Sequence, residues 1–122
     1  MKKKLNEQDQ QRETIIEAIA DKKGQDITIL DLRKINEAVT DYFIICHGDS
    51  TRQVNAIAEN ILEKVKKKLN TRPWHSEGLK STDWVLLDFV DIVVHVFYRE
   101  KRYFYQLEEL WNDAEVIKYE AA

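Results

Sequence analysis

The stretch TDYFIICHGDS, residues 40–50, decides the fold. Tyr42 to Cys46 is a continuous apolar run of strand length, the kind buried on both faces of a sheet. Gly48 then predicts a turn, and Ser50 followed by Gln53 has the form of a capping box that opens a helix. Strand, glycine turn and helix start together make the corner at which many enzymes cradle a phosphate, because the first backbone N–H groups of a helix have no partner and attract anions. The same corner can serve only as architecture.

Working outward, Val54, Ile57, Ala58, Ile61, Leu62, Val65 and Leu69 form an apolar stripe at helical spacing. Lys64, Lys66, Lys67 and Lys68 crowd its C-terminal end, where the helix dipole favours cations, and Asn70 is a natural stop. Before the corner, Leu5, Arg12, Ile15, Ile16, Ile19 and Ala20 predict a first helix, ended by Lys22, Lys23 and Gly24 with the glycine as left-handed cap. Asp26 to Leu32 predicts a strand. Beyond the long helix, a short strand is expected over Arg72 to Ser76. Trp84 to Asp88 and Ile92 to Tyr98 read as a hairpin joined by Phe89, Val90 and Asp91. Tyr103, Leu107, Leu110, Trp111 and Ala114 share a helical face, which predicts a third helix and then a short tail. The order αββαβββα implies an α/β fold, a mixed sheet flanked by helices.

A chain of 122 residues, 43% hydrophobic and 34% charged, suits one domain over residues 1–122. One proline and three glycines advertise no linker. No apolar run approaches the roughly 20 residues that span a bilayer. The start MKKKLNEQDQ lacks the apolar core of a secretory signal, so a cytoplasmic location is expected. A single cysteine, Cys46, agrees with a reducing compartment. Net charge is −3, but residues 83–122 hold 4 basic and 9 acidic side chains and so carry −5. Such a segment is repelled by phosphate backbones and attracted to a basic protein.

As chemistry, the corner lacks parts. It has one glycine and no adjacent lysine, so neither a Walker A loop nor a dinucleotide fingerprint is present. Asp88 and Asp91 are candidate metal carboxylates, but strand alternation would send them to opposite faces. Cys46 sits in an apolar run where a thiol behaves as a small hydrophobe. His47, His75 and His95 have no paired metal-ligand spacing and read as hydrogen-bonded structural histidines. No cofactor or metal is implied. The lysine runs at 2–4 and 66–68 read as a frayed terminus and a solvated helix end. Aromatics are in surplus towards the C-terminus, and Trp84, Tyr98 and Arg102 could sit at a rim, where such residues dominate interface energetics. Trp84 could equally seal the sheet edge.

Three ordered blocks carry a resemblance: DLRKINEAVTDYFIICHGDSTRQV at 31–54, STDWVLLDFVDIVVHVFYRE at 81–100 and YFYQLEELWNDA at 103–114. Over about residues 8 to 115 the chain resembles the ribosomal silencing factor, or Iojap-like, family. The resemblance implies a nucleotidyltransferase-like α/β fold without transferase chemistry. It also implies a translational repressor that binds the large ribosomal subunit at ribosomal protein fourteen, blocks joining with the small subunit and acts when nutrients fall. By the matching DW motif, Trp84 is the leading partner contact, with Asp83 beside it and Tyr98, Arg102 and Tyr103 as further contacts. Members of the family are also seen as homodimers. Val90 stands at a turn position where relatives often carry glycine. Two other readings remain open at this stage, an active nucleotidyltransferase and an adaptor for some other basic protein.

Overall fold

The computed structural model describes residues 6–81 and 83–119. Leu5, the lysines at 2–4 and Thr82 lie outside the described residues. The elements in order are α1 (Glu7–Asp21), β1 (Gln25–Asp31), β2 (Tyr42–Gly48), α2 (Thr51–Leu69), β3 (His75–Glu77), β4 (Trp84–Asp88), β5 (Ile92–Tyr98), α3 (Arg99–Tyr105), α4 (Leu107–Leu110) and β6 (Glu115–Lys118). The strands form one mixed sheet in the order β3-β4-β5-β2-β1-β6. β2 and β5 pair in parallel at its centre, and every other pairing is antiparallel.

Alternation along the strands sorts the core into two layers. Ile27, Ile29, Ile44, Cys46, Val85, Leu87, Val94 and Val96 face α1 and α2. The predicted stripe of α2 is what covers them: Val54, Ile57, Ala58, Ile61 and Val65 are wholly buried, and Leu62 and Leu69 are partly so. Each of the large ones contributes about 1.5–3 kcal/mol of hydrophobic free energy. The two helices are tied by Asn60 Nδ2 donating to Ala18 O at 2.9 Å and by Lys64 and Lys68 paired with Glu17 and Asp21. On the other face Leu30, Leu32, Ile45 and Phe97 meet Leu107 and Ala114.

Local signals account for most boundaries. Asn6 caps α1, its side chain accepting from Asp9 N, and Asn70 ends α2 in the left-handed conformation at φ 50°. Ser50 Oγ accepts from Gln53 N at 3.1 Å, as a capping box requires, although Gln53 Oε1 returns to Asp49 N at 2.8 Å and not to the cap residue itself. The left-handed residue after α1 is Lys23, φ 60°, and not Gly24. Gly24 is needed for space, since a Cβ there would lie 2.3 Å from Ile19 Cγ2.

The C-terminal segment departs from the sequence reading. The expected third helix breaks at Gln106, φ 47°, whose N–H bonds Arg102 O, so two short helices replace one. The break removes the single face: Leu107 is buried, Tyr103 and Leu110 are exposed, and Ala114 falls in a turn. The expected tail is the strand β6, paired with β1 from Thr28↔Lys118 to Asp31↔Glu115. All four of its residues are exposed, so no hydrophobic alternation announces it. The third strand is His75–Glu77 where Arg72–Ser76 was expected, and the first begins and ends one residue early.

The β4–β5 hairpin turns on Val90, held at φ 79°. Asp88 Oδ1 accepts from Val90 N at 2.8 Å, and Asp91 N donates to Phe89 O at 3.1 Å. A β-branched residue at positive φ is strained by roughly 1–3 kcal/mol. Val90 is 58% exposed and buries little in return. Replacing it with glycine relieves the strain at some entropic cost, so Val90→Gly should raise stability by about 1 kcal/mol, read as a higher urea midpoint at unchanged slope. A lower midpoint would show that the turn is not strained. In the opposite direction, Ser50→Ala removes a cap bond and should cost about 1 kcal/mol in the same measurement.

Candidate functional site

The phosphate-like corner at the end of β2 is filled from within. A Cβ on Gly48 would lie 3.2 Å from Gln53 Cβ, Cγ and Oε1, so the glutamine side chain occupies the space above the glycine. Its Oε1 accepts from Asp49 N, and its Nε2 donates to Lys22 O at 3.2 Å and Lys23 O at 3.0 Å, stitching the corner to the end of α1. Asp49 adds a carboxylate held by Gln25 Nε2 at 2.6 Å and Arg99 at 3.5 Å, which opposes an incoming phosphate. The candidate metal carboxylates are remote from it. Asp88 pairs with Val93 and Gly48 with Tyr98, five residues apart on β5, or about 17 Å. Among the described residues no group of three or more His, Cys, Asp or Glu side chains is placed to hold a metal ion. Burial pushes the Cys46 thiol up to about 12, so it stays protonated and packs as an apolar group.

The opposite face of the sheet carries the aromatic surface. Trp84 opens β4 pointing away from α1 and α2, half-buried. It stacks on Phe97, its cross-strand partner, at 4.9 Å between centroids and meets the Tyr105 ring at 4.7 Å. Its indole Nε1 donates to His95 Nδ1 at 3.0 Å. An indole nitrogen can only donate, so His95 Nδ1 carries no proton. Burial pushes His95 down to about 3, which keeps it a neutral acceptor at ordinary pH. Phe43 packs edge-on against both His95 and Trp111, at 4.6 and 5.7 Å. Trp84 is thus a fixed, partly exposed ring that loses little freedom when a partner covers it.

The other expected contacts divide. Asp83 is exposed beside Trp84, and its carbonyl accepts from Tyr98 N at 2.8 Å, which fixes its backbone. Tyr98 reaches the same end of the sheet but the other face, packed against the α1–α2 layer, because it follows Phe97 by one residue. Tyr103 is 60% exposed on α3, its ring 6.4 Å from His47. Arg102 is 3% exposed and offers a partner almost no area. Its guanidinium donates to Asp26 O at 2.8 Å, Thr28 Oγ1 at 3.1 Å and Glu108 Oε1 at 3.1 Å, and meets His47 Nδ1 at 3.0 Å. Burial, then the Arg102 charge, hold His47 below the usual histidine range, so Nδ1 is free to accept. Through Glu108, Arg102 clamps α3 and α4 to β1 and β2 and so sets Tyr105 against Trp84. His95, Phe97, Phe43 and Trp111 were not expected at the site. The available signal was the period of two along β5, which puts residues 93, 95 and 97 on one face.

No helix among the described residues is long and apolar enough to cross a membrane. Residues 5–122 match the family model described as "Ribosomal silencing factor during starvation". The chain is 44% identical to the ribosomal silencing factor RsfS of Bacillus subtilis over 97 residues, 80% of each protein. It is 37% identical over 75 residues to the mouse protein "Mitochondrial assembly of ribosomal large subunit protein 1", covering 60% of this chain and 33% of that one. A crystal structure of protein CV0518 from Chromobacterium violaceum superposes with a TM-score of 0.81 at 38% identity, over 88% of each chain. Sequence and fold agree, and the chain belongs to the ribosomal silencing factor family.

Proposed function

We propose that this chain is a translational repressor that binds the large ribosomal subunit through ribosomal protein fourteen and sterically blocks joining with the small subunit under nutrient limitation. It works in the cytoplasm by occupying a surface and not by catalysis. The observation that carries this reading is the preorganised Trp84, boxed by Phe97, Tyr105 and His95 at the rim of an acidic segment. A rigid aromatic anchor with an acidic surround suits a basic ribosomal protein better than RNA. The starvation in the family description and the large subunit in the mouse relative's name support the same reading. Trp84, Asp83 and Tyr103 present the contact, Tyr98 buttresses it from the far face of the sheet, and Arg102 positions it from beneath. The corner blocked by Gln53 favours this over an active nucleotidyltransferase.

Co-sedimentation with purified large subunits, with and without small subunits, tests the proposal. The chain should travel with free large subunits and reduce their joining. Trp84→Ala should fold and lose about 2 kcal/mol or more of binding. An unchanged affinity would remove the site. Charge separates the partner classes. Lys67 and Lys68 are already paired with Glu63 and Glu17, so changing Lys66, Lys67 and Lys68 together to glutamine should leave binding nearly intact. Asp83→Lys should weaken it, and affinity should fall only shallowly with salt. A loss of several orders of magnitude between about 50 and 200 mM salt, abolished by the lysine changes, would instead assign the contact to RNA at the end of α2.

A further inference from the structure

Three oddities from three chain segments meet at the far end of β4 from Trp84. Val39, Trp74 and Val90 are 98%, 70% and 58% exposed, large apolar side chains that a free protein gains nothing by presenting to water. They wall a cavity of about 270 Å³ whose remaining lining is Thr40, Asp88 and Val93. Thr40 is buried to 6% exposure, and its hydroxyl has no hydrogen-bond partner in the chain. Val90 keeps its wall position only by holding a strained backbone, a state that persists where something beyond folding selects it.

From these observations we infer that this notch is a second anchor point of the ribosome-binding surface, and that it takes one apolar side chain from a basic protein segment. The inference rests on the reading proposed above. Continuity supports it: Trp84, Leu86 and Asp88 alternate onto the same face of β4, four residues from end to end, so the two anchors lie about 13 Å apart. That spacing fits within one interface of the usual size, about 800 Å² on each partner. Charge supports a basic occupant. Asp88 lines the notch itself, Glu37 stands two residues from Val39, and the one Lys or Arg on the lining segments 37–41, 72–75 and 88–93 is Arg72. A basic segment that laid a leucine-sized side chain between Val39, Trp74 and Val90 would cover the apolar walls and neutralise the rim together.

The test compares Trp74→Ala, Val39→Ser and Val90→Gly with Trp84→Ala and the parent chain, each titrated against purified large ribosomal subunits. Trp74 and Val39 are exposed enough to be changed without harm to the core. Each should weaken binding roughly fivefold or more. Val90→Gly should give a chain that is more stable yet binds more weakly, a combination that a purely structural role does not produce. If the parent binds and Trp84→Ala weakens it, but the three notch variants stay within about twofold of the parent, the notch is no anchor and the Trp84 site stands alone. If the parent does not bind large subunits, the reading at Trp84 fails and this one with it. If the variants keep subunit affinity but lose self-association in analytical ultracentrifugation, the occupant is a second copy of this chain and the inference is overturned.

Discussion

The parallel pairing of β2 with β5 is the constraint from which the rest follows. Both strands are buried along nearly their whole length, and a central parallel pair needs cover on both faces. One face has two long helices, linked by apolar contact and by the Glu17, Asp21, Lys64 and Lys68 network. The other is covered by the β1–β2 connection, through Leu32, Ile35 and Ala38, and by what remains of the chain after Tyr98, which is two short helices, a turn and a four-residue strand. That segment covers β1, β2 and the near end of β5, and touches β4 only through Tyr105 on Trp84. The β3–β4 side of the same face is left with Trp84, Leu86 and Asp88 only partly covered, and this uncovered half is where the partner surface is proposed.

A short cover needs a strong fastening, and Arg102 supplies it. Burying a guanidinium is costly unless its donors are matched, and here backbone, hydroxyl, carboxylate and imidazole acceptors surround it. The network reaches β6 as well, because Thr28 also accepts from Lys118 Nζ at 3.0 Å and Lys118 pairs with Asp26 at 3.3 Å. One arginine therefore joins α3, α4, β1 and β2, while Lys118 extends the same cluster to the edge strand. The aromatic packing of Tyr105 on Trp84 depends on that fastening.

The features legible in the sequence were those with a period or a cap. The stripe of α2, the Ser50 cap, the Asn70 stop and both hairpin strands stand where the residues predicted them. What escaped was non-local. Nothing around Gln106 marks a break, since glutamine is a good helix former, and the left-handed turn there becomes intelligible only once Arg102 is anchored across the sheet. Strand β6 has no buried face and exists because β1 offers an edge. At the proposed site, Trp84 and Asp83 are singled out only by the DW motif, while the structure shows Trp84 partly exposed and Asp83 exposed beside it. The parity of β5 separates Tyr98 from Phe97, and the burial of Arg102 depends on partners more than 50 residues away in sequence.

The corner at Gly48 and the notch at Val90 sit at opposite ends of the same sheet and show opposite treatment. At the corner a glutamine side chain fills the space above the glycine and binds the neighbouring carbonyls, so the arrangement is satisfied without a ligand. At the notch a strained turn, three exposed apolar side chains and an unpartnered hydroxyl leave free energy unrealised in the isolated chain. Exposed apolar area and stored strain lower stability, which in domains of this size is only about 5–15 kcal/mol in total. A closed enzyme-like corner and an incomplete opposite end are what the proposed binding role requires, and the open half of the sheet is the surface with room for a partner.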